Sequence, residues 1–317
     1  MTPRHRNHIE LATLAAIWGA SFLFMRLGAG QFGAFALAFM RVAGASLLLL
    51  PLLLARGEWP ALKSNAWRIA LVGMTNSALP FICFAYAAQS LNAGLSAIFN
   101  ATTPLWGAAL AAVWLKEGLA RSRILGLALG FLGVLWLAWD HAQLGQLLFN
   151  DDGGSLAVSA HSRRVPDDRS ELSVLLPVGA CIAAAMMYGF SANFARRHLS
   201  NVAPMALATG SQLFSALGLA LPATLYWPAQ TPGAASWAAA LALAILCTGV
   251  AYILYFRLIA KAGSTYAMSV TYLVPAFAVL WGWLVLGEAL SGAMLAGCAV
   301  ILLGTALTTG MVGARRT

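Results

Sequence analysis

The chain contains itself twice. Displaced by 171 positions, Pro104 falls on Pro275, Glu117 on Glu288, Leu119 on Leu290, Gly126 on Gly297 and Gly133 on Gly304. Near the start of each copy the displacement is 170. There the pattern G-x-S-x-x-F-x-R occurs as Gly19, Ser21, Phe24, Arg26 and again as Gly189, Ser191, Phe194, Arg196. Self-similarity on this scale sets the architecture of the whole chain. If each copy crosses a membrane an odd number of times, the second copy must lie upside down. Inverted repeats in an apolar chain point to a solute site between the halves.

Composition makes the membrane reading necessary. Of 317 residues, 61% are hydrophobic and 9% charged, with a mean hydropathy of +0.79. Soluble domains carry about 25% charged residues, so this chain cannot coat a globule in water. Length alone suggests two soluble domains, and composition overrides it. The net charge of +9 does not indicate nucleic acid, because the charges sit in short loops rather than in a basic stripe. Cys83, Cys181, Cys247 and Cys298 lie inside apolar runs without metal-ligand spacing and read as small buried hydrophobes. Arg4-His5-Arg6 before an apolar run imitates a signal peptide. Glu10 and the lack of a small-residue cleavage site before Arg26 argue for a retained first span.

A bilayer core of ~30 Å needs about 20 apolar residues per helix. Ten stretches qualify, near 10–27, 34–55, 66–88, 94–115, 122–140, 172–195, 203–226, 236–258, 265–286 and 290–311. Uninterrupted apolarity makes them helices, since barrel strands alternate and are shorter. The fold class is therefore an all-α membrane protein of ten transmembrane helices. They form a first five-helix repeat at 1–140, an extracytoplasmic linker loop at 141–171 and a second repeat at 172–317. With the N-terminus inside, cytoplasmic segments hold 14 of the 19 basic residues, against Arg163, Arg164 and Arg169 outside. The positive-inside rule then places both termini in the cytoplasm. Arg26 ends span 1 outside, and its mate Arg196 ends span 6 inside, so the two five-helix repeats are inverted. The linker carries Asp151-Asp152-Gly153-Gly154 and Pro166-Asp167-Asp168. A solvated connection suits it better than a calcium site, because the ligand spacing is wrong.

No zinc-protease, nucleophile-elbow or phosphate-loop signature is present, and no histidine lies deep in a span. An enzyme is not expected, and neither a cofactor nor a metal is implied. The strongest local signal is the matched pair Pro104 and Pro275, mid-span in spans 4 and 9. Each proline frees the carbonyl four residues back, here Asn100 and Thr271. Interrupted helices in matching positions mark a transport site, so both prolines are candidate conformational hinges. Mid-span polar groups are Trp18, Ser21, Thr75, Asn76, Ser77, Tyr86, Tyr188, Asn193, Gln212, Thr248, Tyr252 and Tyr255. Such groups face protein or a cavity, and most serve as packing contacts between helices. The substrate-binding candidates are Trp18, Ser21, Arg41, Asn76, Tyr86, Asn100, Thr103, Tyr188, Tyr252, Thr271 and Tyr272. Arg41, about seven apolar residues into span 2, is a candidate partner for a substrate carboxylate; a structural, outward-snorkelling role competes evenly. Arg26 is nearer the surface and is expected to snorkel. Glu117 and Glu288 are expected to cap the turns into spans 5 and 10. Gly126, Gly130, Gly133, Gly297 and Gly304 give spans 5 and 10 small-residue faces, for helix packing or a homodimer.

With these motifs the chain resembles the drug/metabolite transporter superfamily, in its EamA-type ten-helix branch. The resemblance rests on the tandem repeat and on Trp18-Gly19-Ala20-Ser21-Phe22. It also rests on Pro104-x12-Glu117-x8-Gly126-x6-Gly133 with its copy Pro275-x12-Glu288-x8-Gly297-x6-Gly304. It covers nearly the whole chain. It implies a central cavity lined by spans 1, 3, 4, 6, 8 and 9, and export of amino acids or related metabolites across a bacterial inner membrane. Trp18, Ser21, Pro104 and Pro275 match family positions, while Tyr188 stands where tryptophan is usual in the second repeat. The expected partners are a small-molecule solute and the lipid bilayer, with no nucleic acid. The alternatives are a sugar-phosphate or nucleotide-sugar facilitator of the same fold, which would want more cations than Arg41 alone, or a channel.

Overall fold

The computed structural model describes residues 3–116, 121–149 and 171–309, and every regular element among them is helical. In chain order these are α1 (Pro3–Ala55), α2 (Trp59–Ser64), α3 (Ala66–Gly73), α4 (Leu79–Ala87), α5 (Ala93–Asn100), α6 (Thr103–Trp114) and α7 (Arg121–Phe149). The second half contributes α8 (Glu171–His198), α9 (Pro204–Leu225), α10 (Ala234–Ala244), α11 (Ala251–Ala262), α12 (Ser264–Met268), α13 (Val270–Leu286) and α14 (Gly292–Thr309). π-helical turns at Met74–Ala78 and Ile245–Val250 join α3 to α4 and α10 to α11. Glu117 and most of the linker lie outside the described residues.

Among the described residues, eight helices are long and apolar enough to cross a membrane. One of them holds two crossings. At 1.5 Å per residue α1 would reach about 80 Å, far more than a bilayer core. Gly33 interrupts it at φ 71°, ψ 174°, and the chain turns back. As a result Arg41 Nη1 lies 3.8 Å from Met25 Sδ, where a straight helix would separate the residues by about 24 Å. Span 4 is the tenth crossing, made of the short α5 and α6 in series. α7 continues to Phe149, past the expected end at 140, because the segment after Asp140 is rich in Leu, Gln and Ala, which favour helix.

The inversion is visible on the helix made by α3, its π turn and α4. At the end of that helix, Arg26 donates to the Ala88 carbonyl at 2.8 Å. At its start, Trp67 meets the ring of Phe194, two residues before Arg196. The repeat mates Arg26 and Arg196 therefore occupy opposite faces. The face where the chain begins (the N-face) is tied by Glu10, which pairs with Lys261 at 2.8 Å and Arg257 at 3.3 Å.

α7 and α14 pack tightly on each other, away from the centre. A Cβ on Gly126 would collide with the Gly304 carbonyl, and one on Gly304 with Gly130. These glycines are consumed within the chain, so they leave no face for the homodimer that the sequence had suggested as their alternative use.

Candidate functional site

The centre of the molecule is a cavity of about 310 Å³ at the junction of the repeats, a size typical of small-molecule sites. Trp18, Ser21, Arg41, Asn76, Asn100, Thr103, Tyr188, Tyr252 and Thr271 line it. Tyr86 and Tyr272 do not. Tyr86 is 40% exposed on the outside of α4. Tyr272 turns towards α14, where its hydroxyl meets Thr309 Oγ1 at 2.6 Å. The sequence also left out apolar lining residues, including Met25, Phe81, Phe84 and Met268. In a chain this apolar, no sequence signal separates a lining side chain from a core or lipid-facing one. Rings form much of the wall: Trp18 tilts against Tyr255 at 5.3 Å, and Phe84 stacks on Tyr188 at 6.1 Å.

The two prolines behave differently. Pro104 sits in the first turn of α6, just after a break at Ala101 and Thr102. Without the proline's missing N–H, the Asn100 carbonyl is taken by Thr103 Oγ1 at 2.8 Å. Thr102 Oγ1 likewise donates to the Phe99 carbonyl at 2.6 Å. At Asn100 a hydroxyl thus replaces the lost backbone donor inside the membrane, and at Phe99 it adds to the Thr102 amide. Pro275 lies within the continuous α13, and span 9 breaks earlier, at Ser269. The expected pair of matched hinges is therefore an interruption at Pro104 and an uninterrupted helix at Pro275. Pro275 borders a separate cleft against α14, away from the central cavity.

At the cavity wall the pseudo-two-fold relation is written in hydrogen bonds. Arg41 Nε donates to Thr248 Oγ1 at 2.9 Å, joining α1 to the second π turn. Gln212 Nε2 donates to Ser77 Oγ at 2.8 Å, joining α9 to the first. Arg41 and Gln212 are 171 positions apart, as are Ser77 and Thr248, and the two π turns start 171 positions apart. π turns recur at functional sites. Thr248 passes its own hydroxyl proton to the Leu243 carbonyl at 2.9 Å, five residues back, as a π turn permits. The displacement that aligned the prolines would have paired these residues in the sequence.

The cavity is sealed on the face opposite the N-face. Both carboxylate oxygens of Glu288 accept the Ala93 amide, at 2.9 and 3.1 Å, at the buried start of α5. Arg26 stands 3.8 Å from the same carboxylate while holding the Ala88 carbonyl. Both expectations for these residues change. Glu288 does not cap its own turn, because Ser291 Oγ already accepts the Met294 amide there. It caps a helix of the other repeat, where unpaired amides and the helix dipole favour an anion. Arg26 does not snorkel; it bridges α4 and Glu288. Burial pushes the Glu288 carboxyl above the ordinary glutamate range, with the Ala93 amide and Arg26 pulling it back. Towards the N-face, α6 leans on α8 and makes no extensive contact with α12 or α13.

The EamA-like transporter family model matches residues 8–139 and again 175–310. An uncharacterized transporter of Archaeoglobus fulgidus is 27% identical over 96% of this chain and 97% of its own length. A WAT1-related chloroplastic protein of Arabidopsis thaliana is 26% identical over 90% of this chain, which spans 65% of that protein. The uncharacterized transporter YetK of Bacillus subtilis is 24% identical over 95% of this chain and 86% of its own length. A solved crystal structure superposes with a TM-score of 0.63 at 20% identity over 99% of both chains, a likeness of fold. Matched twice by one family model, over two repeats in inverted orientation, this chain belongs to the EamA-like transporter family.

Proposed function

We propose that this transporter exports amino acids or related small metabolites by alternating access. It would do so from the cytoplasm of a bacterium, across the inner membrane, with both chain ends cytoplasmic. Charge placement supports that topology, since 14 of 19 basic residues fall in the segments that the sequence reads as cytoplasmic. On this reading the sealed end is extracytoplasmic, and the structure is inward-facing. Trp18, Ser21, Arg41, Asn76, Asn100, Thr103, Tyr188, Tyr252 and Thr271 would contact the solute. The repeat domains at 1–140 and 172–317 would rock about the crossing that Arg41–Thr248 and Gln212–Ser77 hold.

The observation that carries this reading is a central cavity between inverted repeats, bridged at one face by Glu288 and Arg26 and, among the described residues, without a comparable contact of α6 with α12 or α13 at the other. A channel has no need of that asymmetry. A sugar-phosphate carrier is disfavoured because Arg41 is the one cation among the residues that line the cavity. Counterflow into proteoliposomes with labelled amino acids tests the proposal. Saturable exchange is expected, and Asn100→Ala should slow it several-fold without lowering the melting temperature. Unsaturable flux, or none for any amino acid or related metabolite, would reject it.

A further inference from the structure

The pseudo-two-fold relation pairs unequal residues. Arg41 and Gln212 hold the same bond in the same place, to Thr248 and to Ser77. Gln212 shows that a neutral donor is enough to hold such a crossing. The positive charge of Arg41 is therefore surplus to the architecture. It is also costly, because burying an unpaired cation forfeits hydration that only an anion can replace.

We propose that Arg41 makes one end of the cavity an anion pole, and that the solute is a monocarboxylate with an apolar body whose carboxylate seats on the guanidinium. The inference refines the carrier reading above by naming the class of its solute.

Four observations lead there. Arg41 is 7% exposed, and what exposure it keeps opens into the cavity. Of its five N–H bonds, Nε is spent on Thr248 and one at Nη1 is directed at the weak acceptor Met25 Sδ. Among the described residues no acid lines the cavity, so the remaining fork meets no carboxylate from them. The ring of Phe81 lies 3.8 Å from the guanidinium carbon and fixes its plane. A planar fork with free edges is the geometry that takes a carboxylate in two parallel bonds. Ser21, one helical turn from Met25, is 4% exposed and lines the same cavity. Its buried hydroxyl has no hydrogen-bond partner, leaving a donor for the anion.

A single cation selects a monoanion, since a phosphate dianion would carry an uncompensated charge into a wall of rings. Trp18, Phe84, Tyr255 and Val274 offer the apolar body its contacts. The cavity has no carboxylate to pair an ammonium group. Loss of the amino group from a solute should therefore matter less than loss of the carboxylate.

The test is binding to the full chain in detergent, by calorimetry and thermal shift, with phenylalanine, phenylpropionate, phenylalaninamide and phenyl phosphate. Wild type should bind the two carboxylates, with the amide weaker by roughly 30-fold or more. Arg41→Gln copies the second repeat and can keep the bond to Thr248. It should melt within a few degrees of wild type and bind both carboxylates as weakly as the amide. Equal binding of acid and amide by wild type overturns the proposal, as does unchanged acid binding by Arg41→Gln. Tighter binding of phenyl phosphate than phenylpropionate overturns the choice of a monocarboxylate, and so does failure of either carboxylate to bind. If Arg41→Gln does not fold, the wild-type comparison of acid with amide decides alone. Failure of the carrier reading looks different: the acids bind, and proteoliposomes show no counterflow.

Discussion

Two contacts related by the internal symmetry have opposite fates. The displacement that carries Arg41 onto Gln212 also carries α5 onto α12 and α6 onto α13. At the sealed face α5 packs on α13. Gly94 leaves room there for Val279, and Gly282 for Ala93 and the Glu288 carboxylate. At the N-face the equivalent contact, α6 with α12, is not made to any comparable extent. The bonds at the centre are alike in both halves, and the ends differ. What keeps the symmetry is the central crossing, and what breaks it is the contact at either end. A crossing built from two short helices, as in span 4, can close at one end without closing at the other.

The comparison is broken most directly by Glu288→Ala. The half-buried carboxylate, 14% exposed, holds the start of α5 and the Arg26 guanidinium together. A hydrogen bond to a charged group contributes about 1.5–3 kcal/mol. Amide exchange around Ala93 should therefore quicken by roughly tenfold or more, while exchange in α9 and α14 stays unchanged. Unaltered exchange at Ala93 would remove Glu288 from the seal.

Acid should act on the same seal more gradually, and in the opposite direction. Because burial raises the Glu288 carboxyl, it takes up its proton at a higher pH in the folded chain than in the unfolded one. Between those two values the folded state binds more protons, so falling pH favours folding as far as this group is concerned. The same linkage holds for a local opening that exposes the carboxyl to water, so falling pH also favours the sealed form. Corrected for the intrinsic pH dependence of amide exchange, exchange at Ala93 should slow as pH falls, beginning above the ordinary glutamate value of about 4.3. Glu288→Gln should show a smaller loosening than alanine and no pH dependence. A pH profile that survives in the glutamine variant assigns the effect to another group.

The spans were legible because a membrane crossing demands a run of apolar residues, and the inversion because cations mark one face. The polar residues at the centre were legible for a similar reason: an amide or hydroxyl in hydrocarbon must face something. Their direction around the helix was not. Tyr86 and Tyr272 are mid-span aromatics with hydroxyls, like Tyr188 and Tyr252, yet they turn away from the cavity. Tyr86 follows the π turn at Met74–Ala78, whose extra residue shifts the helix face by an amount that a regular period does not anticipate. Local rules make Glu288 a cap of its own turn because they see only that turn. Its partner Ala93 is 195 residues away in the other repeat. Met25 and Phe81 carry no signal, since the cavity uses the same residue types as the core.

The smallest effect separates the two prolines. The sequence treats Pro104 and Pro275 as equals, and the structure puts a break just before Pro104 but leaves Pro275 inside a helix that starts after the break at Ser269. Pro104→Ala supplies a backbone N–H that can return to the Asn100 carbonyl, displacing Thr103 Oγ1 and joining α5 to α6. Since proline is tolerated in a first helical turn, the change in stability should stay within about 1 kcal/mol. Transport should nevertheless fall several-fold, because the half of span 4 that seals one face would no longer move apart from the half that opens the other. Pro275→Ala restores a bond inside a helix that is already continuous, so it should alter transport less. The two variants, compared by counterflow in the same lipid, put that asymmetry to a direct test. Equal losses would return the prolines to the paired hinge that the repeat implies. A larger loss at Pro104 would mean that the duplicated sequence has divided its labour, with one copy bending where the other stays straight.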